Sequence, residues 1–169
     1  LLPALASAQG DALRQVLGVA GTPTALAVRL PLETEWKAAM TGRGDFPWGD
    51  TFAWQRLNCA EHWVGRAFKD DDEWREWIGS DQESWETAST SAVTTFPQGV
   101  SPAGVWDGSG NVWEWMGNPY QAGAVEMALR GGSWLSSGSV ARVSARRYSH
   151  PDYFNDFNGF RCVVAPVSL

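Results

Sequence analysis

The stretch AGVWDGSGNVWEWMGNPY (103–120) decides how this chain is read. It begins with turn chemistry: Gly104, Gly108 and Gly110 surround Asp107, and backbone that must bend sharply collects such residues. The next run, NVWEWM, is β-branched and aromatic and ends at Gly117-Asn118-Pro119, as a short strand between turns does. Asp107 and Glu114 place one carboxylate in the turn and one in the strand. A turn that feeds directly into an aromatic strand points to an irregular, loop-rich domain.

Working outward, ALRGGSW (128–134) reads as a second strand, and PWGD, FPQG, SPAG and DGSG mark turns. Toward the N-terminus, RLPLETEWKAAMTG (29–42) predicts a helix. Pro31 suits its first turn, Glu33 and Glu35 lie at its positive end, and Gly42 closes it. QGDALRQVLGV (9–19) predicts a second short helix capped by Asp11, and GTPTALAV (21–28) a turn followed by a short apolar run. KDDDEWREWIGSDQESWE (69–86) alternates acids with tryptophans. It reads as a solvated surface insertion with a short helix, with a partner-binding patch as the alternative. The chain opens at Leu1 with no basic leader and reads as the middle or end of a longer protein.

Composition agrees. The 169 residues are 44% hydrophobic and 19% charged, with 18 glycines and 11 tryptophans, enough for one domain with its own core. We expect a single domain over 1–169. A net charge of −6 without a Lys/Arg cluster argues against a nucleic-acid partner. No apolar run is long enough to span a bilayer, and no signal peptide is legible, so a cytoplasmic and a cell-surface location both stay open. Cys59 and Cys162 leave one long-range disulfide or two buried free thiols, of which the thiols are preferred. With His62 and His150 the only histidines, no three-histidine metal site can be built from this chain.

Four blocks in order resemble the formylglycine-generating-enzyme (sulfatase-modifying-factor) family. They are RLPLETEWKAAMTGRGDFPWGD (29–50), AGVWDGSGNVWEWMGNPY (103–120), LRGGSW (129–134) and ARRYSHPDYFNDFNGFRC (145–162). The resemblance implies an α+β, C-type-lectin-like fold: short helices, a small twisted antiparallel sheet, many loops. It also implies a structural calcium ion, with Asp107 and Glu114 giving side-chain oxygens and Gly110 and Val112 backbone carbonyls. Calcium takes six to eight hard oxygens, and a glycine-rich turn can point carbonyls inward. The competing assignment makes Asp107 a turn cap and pairs Glu114 with an arginine. A second calcium would use Asn58 and the Cys59 carbonyl, with Glu86 the nearest further acid.

The family's oxygen-dependent chemistry uses two cysteines shortly after GGS. Here that region reads GGSWLSSGSVARVSARR, and the first cysteine position falls at Ser136. A serine hydroxyl is not ionised near neutrality and is a poor ligand for soft copper. We therefore expect no formylglycine-forming activity and neither copper nor iron. No G-x-S-x-G elbow and no local partner for either histidine suggests another nucleophile.

Segment 135–158 contains no Lys, Gln, Glu, Met or Trp, although Glu and Trp are frequent elsewhere. Codons ending in cytosine cannot encode those five residues, which is the trace adenine-directed mutagenesis of AAC codons would leave. In this it resembles the variable proteins of diversity-generating retroelements. The expected variable, ligand-contacting positions are Leu135, Ser136, Ser137, Ser139, Tyr148, Ser149, His150, Tyr153, Phe154, Asn155, Asp156 and Phe157. Rigid aromatics mixed with small polar residues suit a paratope for a protein or other macromolecule. The alternatives are a non-diversified, catalytically silent family member and, third, an oxidase of the family's kind.

Overall fold

In the computed structural model, residues 26–42, 44–80 and 86–166 are described. The helix expected over 9–19 and the ends of the chain lie outside them. Contacts divide the chain into two units. In the described part of the first, β1 (Leu26–Arg29) and β6 (Val163–Pro166) pair antiparallel, Leu26 opposite Pro166 and Arg29 opposite Val163. Thus the apolar run expected toward residue 28 is a strand from Leu26 onward, and the turn expected before it lies outside the described residues.

The second unit, Pro31–Arg161, carries the helices and a four-stranded sheet. Helix α1 (Glu33–Met40) buries Glu33, Trp36 and Met40, three and four residues apart on one face. The Leu32 N–H donates to Glu35 Oε2 at 2.8 Å, and the Glu33 N–H to Asn118 Oδ1 at 2.8 Å, so two of the exposed amides at its start find acceptors. The helix ends one turn position earlier than the sequence suggests. Thr41 is the C-cap, its amide bonded to Lys37 O at 2.8 Å. Gly42 serves close packing instead, since a Cβ there would sit 2.4 Å from Pro47 O.

Two helices follow, α2 (Ala60–Val64) and α3 (Asp71–Gly79). Asp70 caps α3 by accepting from the Glu73 N–H at 3.0 Å, while Glu73 Oε2 takes the Lys69 N–H at 2.5 Å.

Strands β2 (Trp113–Pro119), β3 (Met127–Arg130), β4 (Arg147–Ser149) and β5 (Asn158–Gly159) form a sheet in the order β4-β3-β2-β5. The pairs β2·β3 and β3·β4 are antiparallel, as expected, with a register shift between Trp115 and Pro119. The β2·β5 pair is parallel, so the sheet is mixed. After β4 the chain crosses through 150–157 and joins the opposite edge in the direction of β2, the long connection parallel pairing needs. Inside, Trp36, Met40, Met116, Ala128 and Val143 form one apolar cluster. Leu57, Cys59 and Ala141 form another, flanked by Trp48, Phe52 and Trp54.

The two-thiol expectation holds in part. Both cysteines are free, but Cys162 is exposed and only Cys59 is buried.

Candidate functional site

The face carrying 135–158 is built around buried ion pairs and a serine-rich loop. Glu33 is its hub. Arg130 Nε donates to Oε1 at 2.6 Å, and Arg146 grips both oxygens, Nε to Oε1 at 2.8 Å and Nη2 to Oε2 at 2.7 Å. Asn118 adds a bond at 3.1 Å. Burial pushes the Glu33 carboxyl up, but Arg146, Asn118 and Arg130 together hold it below the usual carboxylate range. A helix N-terminus, β3 and the approach to β4 are thereby tied together.

The chain leaves β3 through Gly131 and Gly132, at φ 99° and 77°, and enters the serine loop. Ser136 Oγ lies at its centre. It accepts from Trp113 Nε1 at 3.2 Å and the Ser133 N–H at 3.1 Å, and shares a 3.0 Å bond with Ser133 Oγ. The Gly138 N–H points at the Glu61 carboxylate, 2.9 and 3.1 Å from its oxygens. Burial pushes Glu61 up, with the Gly138 amide pulling the other way. Burial likewise pushes the Cys59 thiol well up, and the Glu61 charge adds to it, so this cysteine is a protonated core residue.

The twelve candidate contact positions divide by exposure. Ser139, Tyr148, His150, Tyr153, Phe154 and Asp156 are exposed, and Leu135, Ser149, Asn155 and Phe157 half-buried. Tyr148 is 57% accessible, Tyr153 55% and Phe154 91%. Ser136 and Ser137 are 6% and 4% accessible, and Ser136 spends its hydroxyl inside the loop. The loop that contains Tyr153, Phe154, Asn155 and Asp156 is held by Trp134 Nε1 on Asp156 O at 3.3 Å and by the Trp113 N–H on Phe157 O at 2.8 Å. Exposed rings thus ride on a pinned backbone.

Sequence reasoning missed the contribution of α3. Trp74 Nε1 donates to Leu135 O at 3.0 Å and Ser139 Oγ to Asp71 Oδ1 at 3.0 Å, so the insertion lies against the serine loop. The signal was present in the two tryptophans at 74 and 77, three apart within one charged run.

At the other loop, Asp107 and Asn111 adopt left-handed backbone, φ 52° and 67°. Gly110 is required there: its φ is +83°, and a Cβ would lie 2.4 Å from Asn58 O. Asp107 Oδ2 is buried and has no hydrogen-bond partner. Burial pushes its carboxyl up, and the nearby Glu114 charge adds to this against the pull of Arg161 and the Thr94 amide. A buried carboxylate oxygen without a partner needs a proton or a cation, so Asp107 fits a calcium ligand. Glu114 is engaged otherwise: Trp36 Nε1 donates to Oε2 at 2.8 Å, and Arg161 contacts both oxygens, Nε at 2.6 Å from Oε2. At the second expected calcium site, Asn58 Oδ1 accepts from Trp63 Nε1 at 2.8 Å, Cys59 O accepts from the His62 N–H at 3.1 Å, and Glu86 is exposed. Those oxygens serve the fold. Among the described residues no three His, Cys, Asp or Glu side chains converge as a metal group. No described helix is long and apolar enough to cross a membrane.

Short helices, a curled mixed sheet and long pinned loops define a C-type-lectin-like fold of the formylglycine-generating-enzyme kind. The chain belongs to the sulfatase-modifying factor enzyme 1-like domain family, whose pattern it matches over residues 5–166. It is 37% identical over 143 residues to "Inactive C-alpha-formylglycine-generating enzyme 2" of Bos taurus, covering 79% of this chain and 43% of that protein. It is 29% identical over 167 residues to the formylglycine-generating enzyme of Mycobacterium tuberculosis, covering 83% of this chain and 52% of that protein. The chain therefore spans about half the length of these relatives or less. Among solved structures it shares its fold with Treponema denticola variable protein 1, at TM-score 0.56 and 23% identity, covering 83% of this chain and 48% of that one. Neither of its two cysteines lies in the loop after GGSW.

Proposed function

We propose that this chain is a ligand-binding member of the family, without its thiol chemistry, that presents the 135–158 face to a protein or other macromolecule and is diversified there by adenine mutagenesis. The observation that carries the reading is the contrast within that face. Tyr148, Tyr153 and Phe154 stand 55% or more exposed, Tyr148 on β4 where it pairs with β3 and the other two on a loop pinned by Trp113 and Trp134. Exposed aromatic rings on a fixed frame give contact area at small entropic cost. Where the family carries its first reactive cysteine, Ser136 closes a hydrogen-bonded loop. A calcium ion held by the Asp107 side chain with the Gly110 and Val112 carbonyls belongs to the same proposal, while Glu114 stays paired with Arg161. It would cross-link the loop and take no part in any reaction.

The test is the DNA around the gene. A near-copy of the sequence encoding 135–158, differing at adenines and lying beside a reverse transcriptase gene, is the expected finding. Flanks with neither leave a non-diversified silent family member, the second reading, which the inactive bovine relative favours.

A further inference from the structure

Helix α3 and the serine loop enclose a cleft of about 330 Å³, and its chemistry is uneven. Trp74 and Ile78 line it from α3, Trp113 from β2, Phe157 from the position just before β5, and Ser136 from the serine loop. The α3 wall is fixed in place by the Trp74–Leu135 and Asp71–Ser139 hydrogen bonds. Arg147 lines the same cleft. Its guanidinium carbon sits 5.8 Å from the Trp113 ring and 5.6 Å from the Phe157 ring. Three other arginines of this unit are ion-paired: Arg130 and Arg146, the second of which also lines the cleft, share the single Glu33 carboxylate, and Arg161 pairs with Glu114. Among the described residues no carboxylate pairs with Arg147. A cation laid over two rings, with its donor edge uncommitted, is suited to bidentate capture of an anion beside an apolar group.

We infer that this cleft binds an aromatic group bearing a carboxylate, with Arg147 gripping the carboxylate and Trp74, Trp113 and Phe157 enclosing the ring. The inference rests on the proposed binding role of this face and gives its ligand a chemistry. The volume admits one bulky side chain or a small aromatic acid, and it is too small for a helix. Arg147 and α3 are not among the candidate variable positions, whereas Leu135, Ser136 and Phe157 are. The anchor for the carboxylate and the Trp74, Ile78 and Trp113 side chains are therefore constant, while the part of the lining made by Leu135, Ser136 and Phe157 changes. Such a division lets variants keep one common recognition element while altering which ring they accept.

The test is titration of the 169-residue chain followed by the tryptophan indole N–H signals in NMR. The probes are N-acetyl-phenylalanine, its amide, and a pentapeptide ending in phenylalanine with a free or an amidated terminus. The free acid should shift the signals of Trp74 and Trp113, and the amide should bind about tenfold or more weakly, as loss of a charge-assisted hydrogen bond implies. Arg147→Gln, at an exposed position, should erase that preference, and Trp74→Ala should weaken acid and amide alike. A free-acid peptide that binds more tightly than the single residue identifies a chain terminus as the source, and equal binding identifies a small aromatic acid. Equal affinity for acid and amide, no shift with any probe, or a preference surviving in Arg147→Gln overturns the assignment. If that happens while the template repeat lies beside the gene, only the ligand chemistry falls and the binding role stands.

Discussion

Glu33→Gln is the substitution that tests most directly how this face is held. The change keeps volume and one acceptor oxygen but removes the charge between two arginines. Arg130 and Glu33 have side chains only 7% and 11% exposed, so a guanidinium is left in the interior without its counter-charge. Breaking a buried pair from one side costs about 3–5 kcal/mol. In a chain of 169 residues each kcal/mol moves the melting temperature by about 2–4 °C, which predicts a drop of roughly 6–20 °C. Scanning calorimetry at pH 7 reads it. The control is Asp72→Asn, which breaks the Arg75 pair at side chains 64% and 84% exposed and should move the melting temperature by less than about 2 °C. The pH dependence follows from the same contacts. Glu33 is held below its ordinary value of 4.5, so its stabilisation is fully present above that pH and is lost as pH falls through the lower folded value. Parent and variant melting curves should therefore converge in acid. A variant that melts within about 2 °C of the parent at pH 7, or a gap that stays constant into acid, would refute the view that Glu33 is the buried hub.

Four further outcomes are expected. Replacing Tyr153 and Phe154 together by alanine should change stability by less than about 1 kcal/mol, since both rings are largely exposed, and thermal unfolding that collapses would place them in the core. Ser136→Ala leaves the Trp113 indole N–H and the Ser133 amide without their acceptor and should cost about 1–3 kcal/mol, checked by urea denaturation. Calcium should raise the melting temperature of the parent and leave Asp107→Asn unmoved. In chelator at neutral pH the variant should be at least as stable as the parent, because burial opposes the charge of Asp107. Glu61, pushed up by burial, withholds stability increasingly as pH rises above its ordinary 4.5, so Glu61→Gln should gain on the parent across that rise; equilibrium unfolding at stepped pH showing a fixed difference would contradict this.

Much of the local structure was legible because it is enforced locally. The helix at 33–40 follows from Pro31, the acids of its first turn and the spacing of Trp36 and Met40. The strand at 113–119 follows from an aromatic run between two turns. The ordered blocks at 29–50, 103–120, 129–134 and 145–162 were enough for the fold class, and the serine at 136 for the missing thiol pair.

What the sequence could not give is partnership. Glu33 reads as a favourable charge at a helix start, yet folding places it between Arg130 and Arg146, 97 and 113 residues away in sequence. Glu114 had two readings, ligand or ion-pair partner, and the tertiary structure brings Arg161 onto both its oxygens. The antiparallel expectation missed β5 because pairing direction depends on where a long loop returns, which no local pattern encodes. Of the segment rich in serine and aromatics, the sequence indicated which residue types could make contact. Only the fold separated Phe154, which faces solvent, from Ser136, whose hydroxyl is spent inside. Propensity and capping act over a few residues and are written in order along the chain. Charge pairing, burial and the docking of α3 on the serine loop arise between segments far apart in sequence, and they exist only once the chain has folded.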